Sequence, residues 1–382
     1  MKKLVLLSIL LGGLNVFCLQ AEEKVLKNTQ NWTIDSISSG LIWYKFEAKY
    51  KNIAQVVNVL EVDIKYPEYK LKVTYTTSRD SLSSISEKQN AVAGINGGYE
   101  LDATFIKENG TIRSQVSRDI QKETHLRHWK HEGAFFYDDN TRNFDIQYGT
   151  NNDYYASSCP NILSAAPVLI YNNSPVGETF IGDVTGINLN SLEYEDYRRH
   201  QGVRHPRTAI AYTETGKVLM ITVDGRQSGK AEGMKAAELT QFLTEYFNPK
   251  SALNLDGGGS TSMYIKDKKG VKNNDIVNCP IDSDIKYKQR LLSSFVLVME
   301  EKLSSVTSVE DDMLDVHIED KVVFLKSDKT ISQIKLYTLQ GQELSVAPTY
   351  SKAISFPVPQ SGVLILSVLC DSQWRAVKLI VK

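Results

Sequence analysis

The sequence lacks any excess of one charge, any clustering of cysteine, and any long apolar run beyond its N-terminus. Its 382 residues carry 44 Lys and Arg against 45 Asp and Glu, for a net charge of −1. With no basic stripe and no RNA- or DNA-binding motif, a nucleic-acid partner is set aside. The four cysteines and six histidines fall in no Cys-x-x-Cys or His-rich spacing, so nothing points to zinc. After Phe17 no segment is apolar enough to cross a membrane as a helix, so the mature chain is expected to carry no integral membrane segment. The Gly-x-x-x-x-Gly-Lys-Ser/Thr phosphate loop and the Gly-x-Ser-x-Gly nucleophile elbow are also missing.

What is there begins with a leader. Lys2-Lys3, the apolar run Leu4 to Phe17, and Leu19-Gln20-Ala21 form the three parts of a secretory signal peptide. Residues 1–21 are therefore read as a signal peptide. The mature chain is expected to be exported: periplasmic, cell-surface or secreted. Cys159, Cys279 and Cys370 remain after cleavage, an odd number, and a Cys159–Cys279 bridge is left open. The triad of histidines in His125-Leu126-Arg127-His128-Trp129-Lys130-His131 reads as an exposed polar loop, not a metal site.

The length suggests two domains. Residues 22–300 are assigned to the first, the polar stretch 301–312 to a linker, and 313–382 to a small β-sandwich. In this tail Val322 to Leu325, Ile334 to Tyr337, Val363 to Val368 and Ala376 to Val381 alternate as short strands. In the first domain Ile53 to Ile64, Tyr69 to Thr76, Ala91 to Ile95, Thr208 to Tyr212, Val218 to Val223 and Ala252 to Leu255 read as strands. Glu232 to Phe247 reads as a helix, with Pro249 as its stop. The fold class is α+β: a mixed β-sheet domain with a few helices, followed by a small all-β sandwich.

The densest signal is Asn254-Leu255-Asp256-Gly257-Gly258-Gly259-Ser260-Thr261-Ser262. Three glycines in a row cost entropy and pack little, so they need a local reason. They follow a strand and precede three hydroxyls. That order puts a carboxylate at a strand end, followed by backbone amides open to an anionic or polyol ligand. Val218 to Val223 likewise ends in Asp224-Gly225-Arg226. The helical connection between these strands is expected to join parallel strands, which would bring Asp224 and Asp256 to one sheet edge. The turn Glu214-Thr215-Gly216-Lys217 implies a hairpin whose symmetry about Thr215 and Gly216 sets Arg207 opposite Asp224. Ala91 to Ile95 ends in Asn96-Gly97-Gly98-Tyr99, a third strand end of the same kind. His205, beside this rim, reads more readily as a packing residue than as a catalyst. Two carboxylates at such a rim could divide glycosidase labour, and an arginine could hold a phosphate or carboxylate.

Four segments together resemble the phosphodiester glycosidase family. They are Ala93-Gly94-Ile95-Asn96-Gly97-Gly98-Tyr99, His205-Pro206-Arg207-Thr208-Ala209, Val223-Asp224-Gly225-Arg226 and Asn254 to Met263. The resemblance spans Val92 to Val298. It departs from the family at Glu100, where many relatives carry an aromatic. It is loose at Arg290-Leu291-Leu292-Ser293-Ser294-Phe295. The tail also resembles the C-terminal sandwich modules of exported Bacteroidetes proteins, which would make export machinery a partner.

The family resemblance implies hydrolysis of a sugar-1-phosphodiester, with N-acetylglucosamine among the sugars. Carried over by motif, Asp256 is the nucleophile or electrostatic stabiliser, and Asp224 the acid/base or orienter. Arg207, Gly257, Gly258, Gly259, Ser260 and Thr261 would hold the phosphate. Asn96, with Gly97, would meet a sugar hydroxyl. No cofactor is expected, and a divalent ion on Asp224 and Asp256 is left open. Two alternatives stand beside this reading: a non-catalytic glycan-binding surface protein, and a metal-dependent phosphodiesterase cutting P–O.

Overall fold

The computed structural model describes residues 29–38, 40–65, 68–177, 183–301, 314–319, 321–339, 342–344, 350–358, 361–371 and 373–381. The signal peptide assigned to residues 1–21 lies outside them, as does the linker apart from Glu301.

Strand Lys217–Val223 is apolar at five of its seven residues because both of its faces are covered. Leu219, Ile221 and Val223 pack with Val57, Val59, Ala209 and the helix residues Leu239, Phe242 and Leu243. Val218 and Met220 point the other way, into a core shared with Leu60, Val62, Ile210 and Leu253. Burying each such side chain contributes about 1.5–3 kcal/mol, which anchors this strand at the centre of the domain. Its sheet has eight strands, in the order Trp32–Ser38, Leu41–Tyr50, Ile53–Asp63, Lys217–Val223, Arg207–Tyr212, Ser251–Asn254, Val168–Tyr171, Ser174–Pro175. Every pairing in it is antiparallel.

The helical connection does leave Lys217–Val223 and Ser251–Asn254 pointing the same way. They are not neighbours, however, because Arg207–Tyr212 lies between them, antiparallel to both. The tight turn at residues 213–216 forces the hairpin partner into the adjacent slot, and the crossover must pass over it. Hairpin register also differs from the expected one by a single residue: Arg207 pairs with Val223, not Asp224. A one-residue slip turns a side chain to the opposite face of a sheet. Arg207 therefore points to the helix side.

The helix forms over Ala236–Tyr246, shorter than expected at its start. Residues 231–235 are held elsewhere, since the Glu232 amide donates to Ala54 and Met234 makes a backbone bridge with His205. Glu238 accepts from the Lys235 amide at 3.0 Å and fixes the first turn. At the far end Asn248 adopts a left-handed φ of 44°, and the amides of Phe247 and Asn248 both return to Leu243.

Two further sheets close the main core. One has the order Met263–Ile265, Ala93–Asn96, Leu292–Glu300, Tyr69–Asp80; the other Thr111–Ser114, Ile106–Glu108, Asn161–Ala165, Gly133–Asp138, Asn143–Tyr148. Their inward residues, among them Val73, Ile95, Val296, Phe135 and Leu163, join the core against the eight-stranded sheet. Asn96 thus ends a strand of a different sheet from the two aspartates. Glu301 belongs to this domain, since it pairs with Lys70 and Arg142.

The C-terminal part is all-β and sandwich-like. The segments around Val322 and Ile334 are halves of one 17-residue strand, Val322–Thr338, which shifts register between Lys326 and Gln333. Its first half lies between Leu314–Glu319 and Ser351–Pro357. Its second half pairs with Gly362–Cys370, which pairs in turn with Gln373–Val381. Val323, Leu325, Ile334, Leu336, Leu366 and Leu379 fill the core. All three cysteines are free thiols, so the Cys159–Cys279 bridge is not formed.

Candidate active site

Antiparallel pairing brings the start of Arg207–Tyr212 and the ends of Lys217–Val223 and Ser251–Asn254 to one sheet edge. Pro206 sits between the two Asp-Gly turns that follow. A Cβ on Gly225 would meet the Pro206 nitrogen at 2.7 Å, and one on Gly257 the Pro206 carbonyl at 2.7 Å. Both turns therefore need glycine. The Pro206 carbonyl also accepts from the Gly258 amide at 2.8 Å, while Gly258 takes a φ of +59°. Gly258–Ser260 then closes as a single 3-10 turn, with the Ser260 amide on the Gly257 carbonyl at 3.1 Å.

Asp256 heads this turn and is partly open to solvent. Burial pushes its carboxyl up to about 6, against the opposing pull of a Ser260 hydrogen bond, Lys130 and Arg290. Arg290 donates to the Ser260 hydroxyl at 3.2 Å and to Asp282 at 2.7 and 3.0 Å. Its guanidinium lies against Gly259, where a Cβ would also come within 2.5 Å of Asp282. Exposed Arg226 reaches the same turn. It donates to the Ile281 carbonyl at 2.9 Å, and its Nη2 stands 3.1 Å from where a Gly258 Cβ would be. Tyr194, 55% exposed, borders it as well. Two carboxylates, Asp256 and Asp282, two cations and an aromatic thus surround a glycine backbone that is itself buried.

Asp224 is different. It is 3% exposed and accepts from the Asn278 amide at 3.0 Å and from the Cys279 backbone at 3.0 and 3.1 Å. Burial raises it to about 6, opposed by those hydrogen bonds and, more remotely, by Lys45 and Lys230. Asn278 also donates to the Thr261 carbonyl at 3.1 Å and accepts from Met263 at 2.8 Å. Asp224 therefore braces the segment behind the glycine turn. The charges that act on it are not those that act on Asp256, so the two carboxylates face different surroundings.

Arg207 is corrected by the register. It is 1% exposed and donates to the carbonyls of Met234 at 2.9 Å, Val203 at 3.0 Å and His200. Its guanidinium ties helix Tyr197–Gly202 to the sheet and does not face Asp224. Asn96, expected to meet a sugar hydroxyl, is also committed to protein. Its amide donates to the carbonyls of Asp256 at 2.7 Å and Gly97 at 3.4 Å, and its oxygen accepts from Thr208 at 2.7 Å and Ser262 at 3.1 Å. Asn96 fixes the position of Asp256 from behind. Gly97 lies against Ser294, to whose carbonyl it donates at 2.9 Å, with no room for a side chain. Thr261 has a buried hydroxyl without a protein partner. Gly257, Gly258, Gly259 and Ser260, also expected to hold ligand, lie beside Asp256, all four buried against neighbouring side chains.

His205 is held neutral, down at about 3, by burial and by Arg207, Arg226 and Arg199. The expected exposed loop at 125–131 is half wrong: Trp129, Lys130 and His131 are buried. Lys130 is paid for by Glu100, at 2.7 and 3.0 Å, and by Glu195. Trp129 packs on Tyr99 and His200 at 5.5 and 4.5 Å. Sequence reading did not single out Arg290, Arg226, Asp282, Tyr194 or Lys130 as site residues. Arg226 directly follows Asp224-Gly225 and was legible there. The others come from distant loops, and only the fold brings them in. Among the described residues no three His, Cys, Asp or Glu are grouped to hold a metal ion.

The sequence model of the family described as phosphodiester glycosidase matches residues 89–299. A hypothetical protein from Synechocystis has a similar structure, at 15% identity and a TM-score of 0.50, covering 71% of this chain and 64% of that one. This chain therefore spans under two thirds of the Synechocystis protein. The catalytic domain of zebrafish N-acetylglucosamine-1-phosphodiester alpha-N-acetylglucosaminidase, auto-inhibited by its pro-peptide, matches at 17% identity and a TM-score of 0.49, covering 71% of this chain and 87% of that one. No curated protein matches the sequence.

Proposed function

This chain belongs to the phosphodiester glycosidase family, and from that premise we propose that it hydrolyses the glycosidic C–O bond of a sugar-1-phosphodiester, with N-acetylglucosamine as the sugar. The observation that carries the reading is Asp256: a partly exposed residue whose carboxyl is raised to about 6, beside Ser260 and Arg290 at the head of the glycine turn. In the reaction the bond from sugar C1 to the bridging oxygen breaks. That oxygen leaves with the phosphate, and the oxygen of water ends on C1. A phosphate monoester departs with little need of a proton, so one carboxylate suffices where an ordinary glycoside needs two.

In this reading Asp256, ionised near neutral pH, stabilises the positive sugar or forms a glycosyl ester with it. Arg290 and Arg226 take the phosphate oxygens beside the turn Gly257–Gly259, supplying charge where the leaving group gains it. Arg207 has no part in that contact, because it is buried and its Nε and Nη2 donate to backbone carbonyls. Asp224 acts as orienter through Asn278 and Cys279. No cofactor enters the scheme.

We also take the chain to be exported on its N-terminal signal, with residues 22–300 as the catalytic unit and 313–382 as an accessory module. Turnover of a methyl N-acetylglucosamine-1-phosphodiester in ¹⁸O-water tests the activity. Label is expected in the released sugar, at a rate that chelators leave unchanged. Label in the phosphate would mean P–O cleavage, and binding without turnover would mean a glycan-binding protein.

A further inference from the structure

We infer that the outer face of the C-terminal module carries a second saccharide site, separate from the hydrolytic one and suited to a neutral pyranoside. A groove of about 310 Å³ opens on the strands Leu314–Glu319, Val322–Thr338 and Ser351–Pro357. That volume is at the small end for ligand sites, the size of a sugar unit or two. Cross-strand register explains its walls. His317 lies opposite Phe324, and Asp315 opposite Lys326. On the other side Phe324 is opposite Ser355, and Lys326 opposite Ala353. Strand alternation turns all six outward, away from the core residues Val316, Val323 and Leu325.

His317 and Phe324 stack face to face, with centroids 4.8 Å apart and planes 6° from parallel. The pair braces a flat apolar wall that needs no ligand to hold it upright. Beside that wall Ser355 and Ala353 are small, so the strand that should carry matching bulk leaves a recess. The next row supplies polarity. Asp315 and Lys326 are exposed cross-strand neighbours of opposite charge, a pairing that ordinarily stabilises a sheet. Here neither forms an ion pair among the described residues, so a carboxylate and an ammonium both face the groove with their hydrogen-bonding capacity unused. A flat ring wall, a small-residue floor, and one acceptor group next to one donor group match a pyranose: its C–H face takes the ring, its hydroxyls the two charges. Opposite charges side by side leave no net field to favour an anion, so the ligand is neutral. This is unlike the two-arginine surroundings of Asp256.

The proposal stands apart from the hydrolytic reading, because each fails alone. Intact protein is titrated with cellobiose by saturation-transfer NMR and calorimetry. Millimolar binding is expected, weakened about tenfold or more in Phe324→Ala through loss of the ring contact. Ala353→Tyr fills the recess on an exposed strand position where tyrosine is favoured. It is expected to abolish binding without disturbing the fold. Both variants are expected to keep the wild-type hydrolytic rate. Failure of cellobiose to bind, or binding that both variants leave unchanged, overturns the site. If Phe324→Ala unfolds the module, Ala353→Tyr decides alone.

Discussion

Two strands of one sheet end in Asp-Gly at the same edge, one on each side of Arg207–Tyr212, and the two ends differ in chemistry. Asp256 is partly exposed and is followed by the glycine turn, with Arg290 and Arg226 beside it. Asp224 is followed by a sealed turn and is saturated by Asn278 and the Cys279 amide. Both carboxyls are raised to about 6 by burial, so a perturbed pKa does not separate them. Access separates them, along with which cations stand close by: Lys130 and Arg290 for Asp256, Lys45 and Lys230 for Asp224. The arginines repeat the contrast: Arg207 is a buried strut, while Arg290 is a half-buried cation at an open turn.

The largest expected effect lies with the strut. Arg207→Ala takes their donor from the buried carbonyls of His200 and Val203, while the Met234 carbonyl keeps only the His205 amide. Unpaired buried acceptors cost about 1–3 kcal/mol each, so the variant is expected to lose about 3 kcal/mol or more of stability. Chemical denaturation measures it, and an unchanged midpoint would make Arg207 available to substrate after all.

Next comes Asp224. Its folded carboxyl, raised from 3.8 to about 6, binds a proton more tightly than the unfolded one. Stability from this group is therefore highest in acid. It is lost as pH rises from about 4, and the loss is complete above about pH 6. At about 1.4 kcal/mol per pH unit the span is about 3 kcal/mol. Melts of the wild type and Asp224→Asn at pH 4, 6 and 8 are expected to show a steep slope in the first and a flattened one in the second. The same slope in both would place the linked proton elsewhere.

Arg290→Ala is expected to act oppositely to Arg207→Ala. It lowers kcat/KM by about 10–100-fold through a lost charge-assisted contact, with little change in melting temperature. A stability loss without a kinetic one would reduce Arg290 to a partner of Asp282.

Much of this was legible in the sequence where a pattern is local. The strands at Ile53, Tyr69 and Lys217 follow from their apolar runs, and the helix at Ala236 from its period and its stop. The glycine turn announced itself by composition. Register and sheet membership were not legible. A turn longer by one residue than its symmetry suggested sent Arg207 to the opposite face. The Asn96 strand, which looked like a third member of the rim, belongs to another sheet and meets the Asp256 backbone through the Asn96 side-chain amide and the Gly97 carbonyl. Lys130 resembled a solvated loop residue because its neutralising partners, Glu100 and Glu195, are far away in sequence. The partner loops that carry Arg290, Asn278 and Tyr194 decide which aspartate is open, and no local pattern encodes their arrival.

The division between the two carboxylates is tested most directly by one paired assay. Turnover of the same N-acetylglucosamine-1-phosphodiester is measured at pH 7 for Asp256→Asn and Asp224→Asn, each confirmed folded. Loss of the reacting carboxylate is expected to cost about 1,000-fold or more in kcat, and loss of the brace no more than about tenfold. Equal losses in both, or the larger loss in Asp224→Asn, would contradict the assignment of Asp256 as the reacting carboxylate.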